Sequence, residues 1–145
     1  MAAVFHWLKV RMFCYATEDE EKLHLVMKNI SGTGDFHAEM SDGHHGNAMT
    51  ILTADLKGNA ECRELFVRLG KNVIETILES LEDRIDDDCT FRVRLDKQAA
   101  VSEIYETADH GDVVSITCKI ASHPARKDIA ETNMRTFLDS VRTSL

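Results

Sequence analysis

Basic residues spaced two apart carry the most suggestive chemistry in the chain. Lys9 and Arg11 form one pair, Arg92 and Arg94 a second, and Lys119 stands in a further alternating stretch. On an extended backbone, side chains two residues apart point to the same face. Trp7, Phe13 and Tyr15 share the parity of Lys9 and Arg11. Cations interleaved with aromatic rings on an open sheet suit single-stranded RNA, because the cations meet phosphates and the rings stack on bases. The same residues also fit an ordinary solvated sheet face with cross-strand ion pairs to Glu39 and Asp55.

The stretch Gly43-His44-His45-Gly46-Asn47 admits three readings. Its glycines allow a backbone nest for an anion, with the histidines stacking on bases or donating to phosphate. His44 or His45 could join His37 and Asp42 around zinc, but no cysteine lies near and adjacent histidines converge poorly on one ion. A plain hairpin loop is the third reading. Ser41, Asp42 and His44 have the letters of a catalytic triad but sit too close in sequence to converge, and no G-x-S-x-G elbow is present. Asp86-Asp87-Asp88 could attract Mg²⁺, although a solvated helix end explains it as well. No G-x-x-x-x-G-K-[ST] or G-x-G-x-x-G occurs. The chain is therefore read as non-enzymatic, with no metal and no cofactor.

These residues need elements to hold them. Alternation from Phe5 to Tyr15 predicts a first strand with His6, Leu8, Val10, Met12 and Cys14 on the inner face. Thr17 with Glu20 reads as a capping box opening a helix whose buried stripe is Leu23, Val26, Met27 and Ile30. Phe36 to Ser41 and Met49 to Leu56 alternate as a hairpin around the histidine loop. Asn59 is placed to cap a helix reaching about Leu69, and Gly70 interrupts. A longer helix follows with Val73, Ile74, Ile77, Leu78, Leu81 and Ile85 on one face, ended by the three aspartates, which oppose its dipole. Cys89 to Leu95 is a strand with Phe91, Val93 and Leu95 inward and Arg92 and Arg94 outward. Asp96 caps a short helix. Val113 to Ala121 is the fifth strand, and the helix after Pro124 carries Ile129, Ala130, Met134, Phe137, Leu138 and Val141. The order β-α-β-β-α-α-β-(α)-β-α predicts an α+β fold: a mixed, mainly antiparallel sheet with helices on one face.

The totals agree. A chain of 145 residues with 43% hydrophobic residues suits one domain, 1–145, with a full core. No apolar run approaches the ~20 residues that span a bilayer, so no membrane role is expected. Cys14, Cys62, Cys89 and Cys118 form no C-x-x-C pair and read as small buried hydrophobes, which implies a reducing, cytoplasmic compartment. The net charge of −8 repels nucleic acid at long range, so any RNA site must be a local basic patch.

Three stretches are more specific when taken together. They are His6-Trp7-Leu8-Lys9-Val10-Arg11 through Glu20, Glu39 through Gly43-His44-His45-Gly46-Asn47 to Leu52, and Asp88 through Arg92-Val93-Arg94-Leu95-Asp96-Lys97-Gln98. They resemble, in the same order and over about His6 to Val141, an archaeal family of predicted RNA-binding proteins described as candidate exosome subunits. The resemblance implies a fold similar to the 5S-RNA-binding protein of the large ribosomal subunit, with RNA and RNA-processing proteins as partners. The expected RNA contacts are Lys9, Arg11, Arg92, Arg94 and Lys97 to phosphate and a loop contact through His44, His45 and Asn47, with Trp7 or Phe13 stacking bases. The alternative is a protein-interaction adaptor docking on an RNA-processing complex. Oligomeric state is left open, a homodimer included.

Overall fold

The structure, a computed structural model, describes residues 4–42 and 48–145. In chain order the elements are β1 (Phe5–Tyr15), α1 (Glu20–Ser31), β2 (His37–Asp42), β3 (Ala48–Leu56), α2 (Asn59–Leu69), α3 (Lys71–Glu79), α4 (Leu81–Arg84), β4 (Thr90–Asp96), α5 (Lys97–Val101), β5 (Val113–Ile120) and α6 (Lys127–Ser144). The strands form one sheet in the order β2-β3-β1-β5-β4. Every pairing is antiparallel, so the α+β class holds and the parallel component of a mixed sheet is absent among the described strands.

Period two decides which face is buried. Leu8, Val10, Met12 and Cys14 of β1 lie under the helices, as do Leu52, Ala54 and Leu56 of β3, Phe91, Val93 and Leu95 of β4, and Val114, Ile116, Cys118 and Ile120 of β5. Helical stripes meet them: Leu23, Val26, Met27 and Ile30 from α1, Leu65 and Phe66 from α2, Val73, Ile74 and Ile77 from α3, Met134 and Leu138 from α6. The Phe66 ring anchors this core, with ring centres of Phe137, Phe5 and Phe91 at 5.5, 6.1 and 6.3 Å. All four cysteines are buried and unpaired, as their spacing suggested. No described helix is long and apolar enough to cross a membrane.

Some local expectations give way to tertiary demands. His6 is exposed rather than inward, because the β1–β5 register shifts between Phe5 and Trp7 and Phe5 takes the buried place. Asp19, not Thr17, caps α1, accepting from the Glu21 N–H at 3.0 Å. Asn59 is the first residue of α2 rather than its cap, and its Oδ1 accepts from the Val4 N–H at 3.0 Å. The long helix after Gly70 breaks at Ser80, whose hydroxyl donates back to the Thr76 carbonyl at 3.0 Å and accepts from Arg84 Nε at 2.8 Å. The break turns α4 toward the outer edge of β4, where Ile85 bridges to Phe91.

Candidate nucleic-acid interface

Strand register arranges the face opposite the helices into rows. Lys9 pairs across Thr117 with Arg92, and Arg11 pairs across Ser115 with Arg94. Trp7 lies opposite Lys119, while Phe13 and Tyr15 lie opposite Ile51 and Met49. The four cations thus occupy a rectangle about 10 Å across the strands and about 7 Å along them. Lys9, Arg11, Arg92 and Arg94 are exposed, as are Trp7 and Tyr15, while Phe13 is half-buried. This is the parity predicted for the strands.

The cations are not equivalent. Lys9 Nζ sits 3.9 Å from Asp55, the cross-strand pair anticipated above, and 5.9 Å from the Trp7 ring centre. Arg92 donates to Asp86 Oδ2 at 2.8 Å. The Arg92 hydrogen bond is the chief reason that the Asp86 carboxyl titrates below its usual value. Asp86 also accepts the Thr90 and Asp88 N–H groups and so ties the turn before β4. Lys119 donates its ammonium to the Asp88 carbonyl. Arg11 lies against the Phe13 ring at 5.4 Å, and among the described residues neither Arg11 nor Arg94 has a carboxylate within 4.0 Å. Row Arg11–Ser115–Arg94 therefore holds two cations without a close carboxylate among the described residues.

Lys97 does not belong to this surface. It is fully buried, and Nζ donates to the Phe13 carbonyl at 2.6 Å and to Glu18 at 2.7 Å, with Asp112 at 2.9 Å and the Tyr15 ring centre at 4.9 Å. An ammonium has three donors, so none remains for phosphate. The expected phosphate contact is thus a structural clamp that joins β1, the start of α1 and the turn before β5. Burial raises the Glu18 pKa, but the hydrogen bonds from Lys97 and the Tyr15 N–H outweigh it and hold the carboxyl below its usual range. Asp96 caps α5, as its position suggested, through the Ala99 N–H at 2.9 Å. His44, His45 and Asn47, with the anion-nest and zinc readings of their loop, lie outside the described residues.

Arg84 joins the face unannounced. The rows open into a trough of about 810 Å³ whose lining includes Trp7, Lys9, Arg11, Arg92 and Arg94, with α4 contributing Asp83 and Arg84 as one wall. Arg84 is half-buried, and burial lowers its pKa, with Asp109 pushing back and the like charge of Arg94 adding to the lowering. The sequence offered only a helical stripe around it. The break at Ser80 that carries Arg84 to the sheet edge depends on a local hydroxyl contact with no periodic signature.

A protein-family model described as RNA binding matches residues 7–120. RNA-binding protein PAB1135 of Pyrococcus abyssi is 26% identical over 144 residues, covering 92% of this chain and 94% of that protein. The solved structure of Mth689, a DUF54 protein from Methanothermobacter thermautotrophicus, is 31% identical with a TM-score of 0.82, covering 94% of this chain and 99% of that one. AF2318 of Archaeoglobus fulgidus is 25% identical with a TM-score of 0.79, covering 92% and 99%. The family match begins at Trp7 on the open face, takes in every strand and ends with β5, and the chain belongs to this RNA-binding family.

Proposed function

We propose that the chain binds single-stranded RNA, without catalysis, through the open face of its sheet. The observation that carries this reading is the row Arg11–Ser115–Arg94: two guanidiniums with no close carboxylate among the described residues, flanked by the exposed rings of Trp7 and Tyr15. Buried-face sequence would tolerate any polar residue at these outward positions, so fold stability does not require arginine there. Arginines supply forked donors to phosphate oxygens, and the rings supply stacking that tolerates any base. A sheet walled on one side by α4 offers a shallow groove to a single strand, whereas a duplex presents mainly its backbone. The loop contacts through His44, His45 and Asn47 belong to the same proposal.

Fluorescence titration of a labelled single-stranded RNA at low salt tests it. The wild-type chain binds, and the Arg11→Glu/Arg94→Glu double variant does not, while its unfolding free energy stays within about 0.5 kcal/mol of wild type. Equal binding by both proteins refutes the face. No binding by the wild type to any RNA instead favours the adaptor role, docking on an RNA-processing complex such as the exosome, which copurification from cells would test. A cytoplasmic location is part of the proposal and rests on four buried, unpaired thiols.

A further inference from the structure

The outer edge of β4 is not open. Ile85 bridges to Phe91, Thr107 bridges to Leu95, and the Ala108 N–H donates to the Arg94 carbonyl. The rows that run from β1 across β5 to β4 therefore end against the segments at Ile85 and at Thr107–Ala108, and Arg84, the last residue of α4, stands next to Ile85 at that edge. It lines the same trough as Arg11 and Arg94, and its Nε is fixed on the Ser80 hydroxyl. Among the described residues none of these three guanidiniums has a carboxylate within 4.0 Å. Asp83 and Asp109 act on Arg84 only from beyond that distance. Two other carboxylates of the trough are already engaged, Asp86 by Arg92 and Asp112 by Lys97.

Arg84 is half-buried beside this exposed row, like charges lining one trough repel one another, and an anion of more than unit charge relieves them best. A phosphodiester within a strand carries one negative charge. A phosphate monoester at a strand end carries about −1.5 to −2 near neutral pH and presents three acceptor oxygens, which forked guanidiniums match. A wall at the end of the rows is also where a strand must stop or turn away.

On the reading that this face binds RNA, we propose that Arg11, Arg84 and Arg94 hold the terminal phosphate monoester of a single-stranded RNA, with the strand leaving across β5 and β1 toward Trp7. The 5′ and 3′ ends share this chemistry. The test titrates the full chain with oligonucleotides of one sequence bearing a 5′-phosphate, a 3′-phosphate or hydroxyls at both ends. One phosphorylated form binds roughly tenfold or more tightly than the hydroxyl form, the worth of at least one charge-assisted hydrogen bond. Arg84→Gln removes that difference. Arg94→Gln, at an exposed strand position, removes it too and serves should Arg84→Gln fail to fold. Equal binding of the three strands by the wild type overturns the terminal site and leaves RNA binding standing. A preference that survives both substitutions also overturns it, and no binding of any strand overturns site and reading together.

Discussion

Removing one carboxylate should steepen the salt dependence of RNA binding by a calculable amount. The two rows hold four cations, yet Arg92 is matched by Asp86 at 2.8 Å and Lys9 by Asp55 at 3.9 Å. A phosphate meeting an already matched cation displaces little counterion, so toward a strand with hydroxyls at both ends, which leaves Arg84 unengaged, the two rows should behave as two free charges. At about −0.7 per phosphate for single strands, the slope of log K against log salt is about −1.4, or about a sevenfold loss between 50 and 200 mM. Asp86→Asn frees Arg92 and leaves an Oδ1 to accept the Asp88 and Thr90 N–H groups, so the turn should survive. The slope becomes about −2.1, about an eighteenfold loss over the same range, with tighter binding at low salt. Asp87→Asn is the control, since it removes the same unit of charge from an exposed neighbour that is not an ion-pair partner of Arg92. Anisotropy titrations across a salt series read both. A wild-type slope near −2.8, or the same change in both variants, would show that the ion pairs do not govern the face.

Other consequences follow from the core and the clamp. Lys97→Met leaves Glu18 and Asp112 without their buried partner and should cost about 3–5 kcal/mol in denaturant unfolding; a loss below about 1 kcal/mol would mean that the clamp is dispensable. Because the Glu18 and Asp86 pKa values are depressed on folding, their stabilisation is complete above the ordinary carboxyl range and is lost as pH falls through the folded values. Urea midpoints should therefore drop on acidification below about pH 4.5, and a midpoint that holds or rises there contradicts the clamp geometry. Leu78→Ala removes a core side chain of α3 and should cost about 2–5 kcal/mol; a change under about 0.5 kcal/mol would place that helix face in solvent.

The legible part of the fold is the part that repeats. Lys9, Arg11, Arg92 and Arg94 were placed correctly because one buried face forces strict alternation, and a slip of one residue would bury every arginine. The helix stripe from Val73 to Ile85 was equally legible, although the chain breaks within it, because burial depends on the stripe and not on unbroken helix. Lys97 was misread for the converse reason. In Arg92-Val93-Arg94-Leu95-Asp96-Lys97 it looks like a third outward cation, but Asp96 ends the strand and caps α5, and the change of period turns Lys97 inward. Its partners come from Phe13, Glu18 and Asp112, which no local pattern links to it. The T-x-x-E box failed beside it: Glu18 is drawn to Lys97 and to the Tyr15 N–H, and Asp19 is left to cap α1.

The net charge of −8 looks adverse to an RNA-binding chain, but the location of the acids matters more than their sum. Eleven of the 25 sit on helices, among them Glu20 and Glu21 on α1, Glu61 and Glu64 on α2, Glu75 and Glu79 on α3, and Glu131 and Asp139 on α6. Those helices pack on the far side of the sheet, and a helix with its side chains is about 10–12 Å thick. Their outer acids thus stand at about a Debye length or more from the open face, since that length is about 10 Å at 0.1 M salt. On the open face itself Asp55 and Asp86 are each opposed by a cation, Asp96 is turned to the α5 N-terminus, Glu39 stands on β2, two strands from β1, and Asp83 stands on the α4 wall. A strand arriving in salt of that strength therefore meets Arg11 and Arg94 at contact distance and the acidic helices only through screened solvent and protein. The global charge weakens the approach of RNA, while the local row decides whether it is held and where.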